Sequence, residues 1–73
     1  MMSVEELADA ADMIVNGYAF TKYNGNVRVI NLNHLDSAAI INKDDKIIET
    51  TMDDIEMEIV KKIYSRDKKY MED

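Results

Sequence analysis

Two adjacent residues, Asn24 and Gly25, constrain the fold of this chain more than any other pair. Both residue types accept the positive φ angles of a two-residue hairpin turn. The runs on either side, YAFTKY and VRVINL, are rich in β-branched and aromatic residues, so they predict strands at 18–23 and 27–32. The chain is therefore expected to contain an antiparallel sheet.

A second hairpin is predicted further along the chain. The turn-forming run NHLDS at 33–37 precedes two apolar runs, which predict strands at 38–42 and 46–50 around a polar turn without glycine. In the strand 27–32, side-chain alternation places Arg28, Ile30 and Leu32 on the opposite side from Val27 and Val29. Helices can cover only one face, so the other face is a candidate contact surface.

Both ends of the chain predict helices. SVEE at residues 3–6 fits a capping box, and apolar residues then recur at helical spacing as far as Val15, before Asn16 and Gly17 supply a left-handed stop. After 50, Thr50 or Thr51 is the predicted cap of a helix with an acidic first turn and basic last turns, the layout that complements the helix dipole.

Apolar residues of the C-terminal helix form two neighbouring stripes at 100° per residue. The first is predicted to face the sheet, and the second is a candidate interaction surface. Glu56 lies in the seam between them, which predicts a partly buried carboxylate held by Arg28 or a tyrosine hydroxyl. The first stripe comprises Met52, Ile55, Ile59, Ile63 and Tyr70, and the second comprises Met57, Val60, Tyr64 and Met71.

The predicted fold class is α+β, in a single small domain over residues 1–73. An N-terminal helix, an antiparallel sheet of about four strands in two hairpins, and a C-terminal helix follow one another, with both helices on one face of the sheet. A chain of this size buries only roughly 60% of its unfolded surface, so a partner adds stability.

The residues that usually carry chemistry do not form a catalytic or metal-binding pattern. The carboxylates at 53, 54, 56 and 58 point about 100° apart along a helix and follow no glycine-bearing loop, so dipole complementation explains them better than Ca²⁺ or Mg²⁺. His34 has no nucleophile to activate, and the chain has no cysteine and only two glycines. We expect no enzyme activity, no cofactor, no metal and no small-molecule substrate.

The net charge of −6 repels nucleic-acid phosphates and anionic lipid heads. The N-terminus lacks the basic region of a signal peptide, and the apolar runs are far shorter than the roughly 20 residues that cross a bilayer. These features predict a cytoplasmic protein that binds neither nucleic acid nor membrane.

The segments GYAF, VRVINLN, AAII and IIETTMDDIEMEIV, taken in this order, resemble a group of short bacterial proteins of unknown function, mostly from low-GC Gram-positive species. The resemblance covers about residues 12–71. It implies no activity and no catalytic residue, but it supports a role for TMDDIE beyond an accidental charge cluster.

The sequence therefore predicts a small protein-interaction or regulatory module that forms a homodimer or binds another protein. The second stripe is its predicted contact surface. The alternative is an acidic inhibitor, of phage origin, that mimics nucleic acid. In that alternative the phosphate-mimicking carboxylates are Glu5, Asp9, Asp12, Asp54 and Glu58.

Overall fold

A computed structural model of the chain describes residues 4–71 and has an α+β fold. Five strands form one antiparallel sheet in which each strand pairs with the next along the chain, one strand more than predicted. Among the described residues, no helix has both the length and the apolar character to span a membrane. The elements are α1 (Val4–Ala10), β1 (Met13–Val15), β2 (Tyr18–Tyr23), β3 (Asn26–Asn31), β4 (Ala38–Ile41), β5 (Ile47–Thr50), α2 (Asp54–Asp67) and a 3₁₀ helix (Lys68–Met71).

The additional strand lies in the segment that the sequence predicts as the second half of the N-terminal helix. Helix α1 ends at Ala10, and β1 pairs with β2 in a register that places Val15 opposite Tyr18. Asn16 and Gly17 have φ angles of 52° and 80°, so they form the hairpin turn rather than a helix stop.

Pairing with β2 explains why this segment is extended. Asp12 N–H donates to Phe20 O at 2.9 Å, and Asp12 Oδ2 accepts from Lys22 N at 2.7 Å. Met13, directly after Asp12, is buried in the core. The β-sheet bonds and this burial outweigh the helical spacing of the apolar residues, as tertiary context often outweighs local propensity.

The other four strands confirm the predicted hairpins to within one residue at each boundary. Asn24 and Gly25 have φ angles of 50° and 81° and join β2 to β3. The pairing of β4 with β5 contains an irregularity, because Ile40 lies opposite Glu49 whereas Ile41 lies opposite Ile47.

The N-cap of α2 is Asp53, and neither threonine caps the helix. Asp53 Oδ1 accepts from Glu56 N at 2.8 Å. Thr51 instead bridges two other segments: its Oγ1 accepts from Ala38 N at 3.0 Å and donates to Asp36 O at 2.5 Å. Thr51, which directly follows β5, thus has hydrogen-bond partners at the start of β4 and before it, and the sequence pattern does not show them.

Helix α2 packs on one face of the sheet and forms the core with it. The rings of Phe20 and Tyr64 stack with their centroids 6.0 Å apart. The side chains buried in this cluster are Met13, Tyr18, Phe20, Val27, Val29, Ala39, Ile41, Met52, Val60, Ile63 and Met71.

The two stripes of α2 are placed differently from the prediction. In the second stripe, Val60 and Met71 are buried, and Met57 and Tyr64 pack against the core, so this stripe is not an exposed surface. In the first stripe, three residues are exposed instead: Ile55 (76%), Ile59 (44%) and Tyr70 (68%). The half-buried Glu56 and the buried Asp67 lie on the seam between the two stripes. The helix therefore turns this seam, rather than the first stripe, toward the sheet.

The prediction that both helices cover the same face is not confirmed. Helix α2 lies on the face of Phe20 and Val29. Helix α1 contacts β2, and its buried Leu7 is outside the core cluster, as is the buried Ala19 of β2.

Candidate functional site

The N-terminal half of α2 is attached to the sheet by a small polar cluster centred on Glu56. Glu56 Oε2 accepts from the Tyr18 hydroxyl and from Asn31 Nδ2, both at 2.9 Å. Tyr18 and Asn31 lie opposite each other on β2 and β3. A tyrosine hydroxyl is thus one of the donors to Glu56, whereas Arg28 alternates with the core residues of β3 and so lies on the other face of the sheet.

The cluster fixes the charge state of both acidic groups. The hydrogen bond from Asn31 lowers the pKa of the Glu56 carboxyl below its usual value, and the bond from Tyr18 acts in the same direction, although partial burial opposes them. Burial, together with the hydrogen bond to Glu56, raises the pKa of Tyr18 to about 12. Neither group changes its charge near neutral pH, so the cluster is suited to anchoring α2 rather than to proton transfer.

The remaining acidic candidates of the TMDDIE segment do not converge. Asp53 caps α2, while Asp54 and Glu58 are exposed. Within residues 4–71, no three His, Asp or Glu side chains lie close enough together to hold a metal ion.

The histidine segment and the basic run KKIYSRDKKY, residues 61–70, have structural partners. His34 is exposed in the turn after β3, where its backbone N–H donates to Asn31 O at 3.1 Å. In the basic run, Arg66 donates two hydrogen bonds to Asp67 Oδ2, at 3.0 and 2.6 Å, and Lys68 Nζ pairs with Asp45 at 2.6 Å.

The sheet face opposite α2 presents a second candidate site, which we call the open face. Its side chains alternate along the strands with the buried residues of the core. The apolar members at its centre, Ile30 and Ile40, are only half-buried, and Ile14 on β1 is 48% exposed. On β2 this face also carries Ala19, which pairs with Ile30 and is buried, and α1 contacts this strand. The part of the face that is left open over β2 to β5 comprises Thr21, Tyr23, Arg28, Ile30, Ala38, Ile40 and Glu49.

Arg28 is the positive charge at the centre of the open face. Its guanidinium carbon lies 5.8 Å from the centroid of the Tyr23 ring, within the range of a cation–π contact. Its Nε atom is buried, and no atom among the described residues accepts a hydrogen bond from it. A buried donor without an acceptor is uncommon in folded proteins and marks a position where an external acceptor adds stability.

The open face also has a shallow depression of about 370 Å³ beside Arg28. Ala38 and Ile40 line it on one side, and Glu49 and Thr50 line it on the other. The sequence predicted that Arg28 and Ile30 share a face away from the core. It did not bring Glu49 next to them, because that neighbour depends on the register of β4 and β5, which no local pattern encodes.

Comparisons with known proteins place the chain in a family without assigning it an activity. Comparison with curated proteins gave no match, and comparison with solved structures gave none either. A family model matches residues 1–71, which is nearly the whole chain. The chain therefore belongs to the family of unknown function DUF7723.

Proposed function

We propose that this chain is a small protein-interaction module and that its contact surface is the open face over β3 to β5. The observation that supports this proposal is the unpaired Nε of Arg28 beside the half-buried Ile30 and Ile40. A partner that supplies an apolar side chain and a hydrogen-bond acceptor would complete this surface, as aromatic, apolar and arginine side chains do at the centre of many interfaces.

The polar cluster of α2 supports a binding role over an enzymatic one. Glu56 and Tyr18 hold opposite ends of one hydrogen bond and keep their charge states around neutral pH. General acid–base catalysis instead uses a group whose pKa is close to the working pH.

The absence of cysteine from the sequence favours a reducing compartment, so we propose that the module works in the cytoplasm.

An acidic mimic of nucleic acid is the second candidate function. It is favoured by exposed carboxylates on two elements, Glu5 and Asp9 on α1 and Asp54 and Glu58 on α2. Asp12 fits this role less well, because its carboxylate accepts a hydrogen bond from Lys22 N. The two functions predict different responses to salt, since contacts between charges weaken steeply as ionic strength rises.

The function is tested by affinity capture from native lysate with matched variants. Ile40→Lys places a charge at the centre of the open face, and Ile59→Lys places the same charge on the exposed side of α2. We expect the wild-type chain and Ile59→Lys to retain the same protein and Ile40→Lys to lose it. Capture that is unaffected by Ile40→Lys would overturn the proposal.

The same capture at increasing salt separates the two candidate functions. An interaction through Ile30 and Ile40 should weaken only slightly between roughly 0.05 and 0.5 M salt. A steep loss over this range, with a basic nucleic-acid-binding protein as the captured species, would favour the acidic mimic.

A further inference from the structure

Four residues form a straight row across the open face. Strand pairing places Thr21 next to Arg28, Arg28 next to Ile40, and Ile40 next to Glu49. Because neighbouring strands lie about 4.8 Å apart, the backbone positions of Arg28 and Glu49 are roughly 10 Å apart, at similar distances on either side of Ile40. The open face thus carries one positive and one negative charge with an apolar residue midway between them.

Neither charge of this row is neutralised by a neighbour. Among the described residues, the ion pairs are Lys61 with Glu58, Arg66 with Asp67, and Lys68 with Asp45, and none involves the row. Glu49 is exposed, and Arg28 is half-buried with an unpaired Nε. The row therefore has no net charge, but it offers the Glu49 carboxylate as an acceptor at one end and the Arg28 guanidinium as a donor near the other.

From this arrangement we infer that the occupant of the open face is a second copy of this chain, related by a two-fold axis that runs parallel to the strands and over Ile40. A rotation about this axis stacks the two sheets face to face. It places Arg28 of each protomer opposite Glu49 of its partner, and Ile40 opposite Ile40. A C2 contact is self-complementary, so one Arg–Glu pair is formed twice.

The packing geometry of sheets agrees with this orientation. Face-to-face sheets pack about 10 Å apart with their strands within roughly 30° of each other, which is the arrangement that an axis parallel to the strands produces. The side chains of an arginine and a glutamate together can span this separation. The depression between Ile40 and Glu49 gives the partner's Arg28 side chain a place to lie.

Charge complementarity selects a second copy at this face. With a net charge of −6, two copies repel each other at long range, so they can meet only where the local charges offset this repulsion. The open-face row satisfies this condition, because each copy contributes one arginine and one glutamate. The inference rests on the proposed function and adds the identity of the partner.

Sedimentation equilibrium over a hundredfold range of concentration tests the pairing with charge reversals. We expect the wild-type chain to associate toward a dimer, and Arg28→Glu and Glu49→Arg each to weaken association at least about tenfold, because each places like charges opposite one another twice. The controls Lys61→Glu and Glu58→Arg carry the same charge changes on the exposed side of α2, and they should associate like the wild-type chain. The folding of each variant is checked by circular dichroism.

Mixing the two single variants gives the most specific result. In a heterodimer of Arg28→Glu with Glu49→Arg, position 28 of each chain faces a residue of opposite charge at position 49 of the other. The mixture should therefore associate at least as well as the wild-type chain, although each variant alone does not. The chain that carries both reversals should also associate.

Three results would overturn the inference: a wild-type chain that is monomeric throughout, single reversals that leave association unchanged, or a mixture that remains monomeric. A monomeric chain that still captures another protein in an Ile40-dependent manner would overturn only the second copy as occupant. If substitutions on the open face change neither self-association nor capture, the proposed function is overturned as well.

Discussion

Glu56 is the residue that joins the helix to the sheet. Its backbone N–H donates to the cap Asp53, and its carboxylate accepts hydrogen bonds from Tyr18 on β2 and Asn31 on β3. One side chain thus fixes the start of α2 over two central strands. The charge and the two donors stabilise each other, because hydrogen bonds to an ionised group are stronger than those between neutral groups.

Replacing this carboxylate tests how much the anchor contributes to stability. Glu56→Gln removes the charge from the hydrogen bonds that this side chain accepts and should lower the free energy of unfolding by roughly 1 kcal/mol. Glu58→Gln should change the free energy of unfolding by less than about 0.5 kcal/mol, because Glu58 is exposed and loses only one ion pair, with Lys61 at 3.7 Å. Urea unfolding of both variants measures the difference, and equal stabilities would show that Glu56 is an ordinary surface residue.

The pH dependence of stability follows from the direction of each pKa. The Glu56 pKa is lowered by folding, so its contribution is present above the unfolded pKa and is lost as the pH falls through the folded value. The Tyr18 pKa is raised from 10.0 to about 12, so its contribution is present below pH 10 and is lost as the pH rises toward 12.

Tyr18→Phe isolates the alkaline part of this dependence. Between pH 9 and roughly pH 11.5, the wild-type chain should lose more stability than the variant, by about 1 kcal/mol or more, because only the wild-type chain ionises at position 18 when it unfolds. Urea titrations of both proteins at the two pH values measure this difference. A constant difference between the two proteins would show that Tyr18 titrates equally in both states.

The sequence predicted that Glu56 lies in the seam between the stripes and that a tyrosine is a candidate donor to it, but it did not predict Asn31. Helical periodicity gives the direction of a side chain on its own element, which is a local property. The identity of the partner depends on which strand positions lie under the helix. Asn31 was missed for this reason, since it is 25 residues away in sequence.

The two Asn-Gly pairs show that the structure predicted for a dipeptide depends on the residues that flank it. Both pairs are hairpin turns with positive φ angles, and they join β1 to β2 and β2 to β3. The second pair was predicted correctly because strand-like runs flank it on both sides. For the first pair, the three alanines and the helical spacing before it predict a helix end, whereas the hydrogen bonds that make this segment a strand join Asp12 to residues of β2.

Alanine substitution of the two turn glycines should separate conformational strain from crowding. Both Gly17→Ala and Gly25→Ala force a side chain into positive φ, which costs about 1 to 2 kcal/mol. Gly17→Ala should cost slightly more, because its new Cβ would lie 2.9 Å from Asn33 Nδ2, the end of an exposed side chain that must move aside, whereas nothing lies within 4 Å of a Cβ at Gly25.

Thermal or urea unfolding of the two glycine variants measures this difference directly. The double variant Gly17→Ala with Asn33→Ala should recover the part that is due to crowding and bring the stability loss close to that of Gly25→Ala. A larger loss for Gly25→Ala than for Gly17→Ala would contradict the assignment.

For the whole molecule, the important asymmetry is between the two faces of the sheet. Helix α2 and the core cover the face of Phe20 and Val29, while Ile30 and Ile40 on the open face are only half-buried. The sequence predicted this division, since alternation along one strand is a local signal. It also marked the uncovered face as a candidate contact surface, but it placed the main contact surface on the second stripe of α2, because the rotation of a helix with two apolar stripes depends on the sheet beneath it.

Association through the open face should make thermal stability depend on protein concentration. A partner that binds only the folded chain stabilises it by mass action, so the melting temperature of the wild-type chain should rise over a hundredfold increase in concentration. Arg28→Glu should remove this rise, and Lys61→Glu, which changes the net charge equally, should retain it. Scanning calorimetry at several concentrations measures all three proteins. A melting temperature of the wild-type chain that does not change over this range would mean that the open face does not bind a second copy at these concentrations, because association of the folded chain within the range makes its melting temperature depend on concentration.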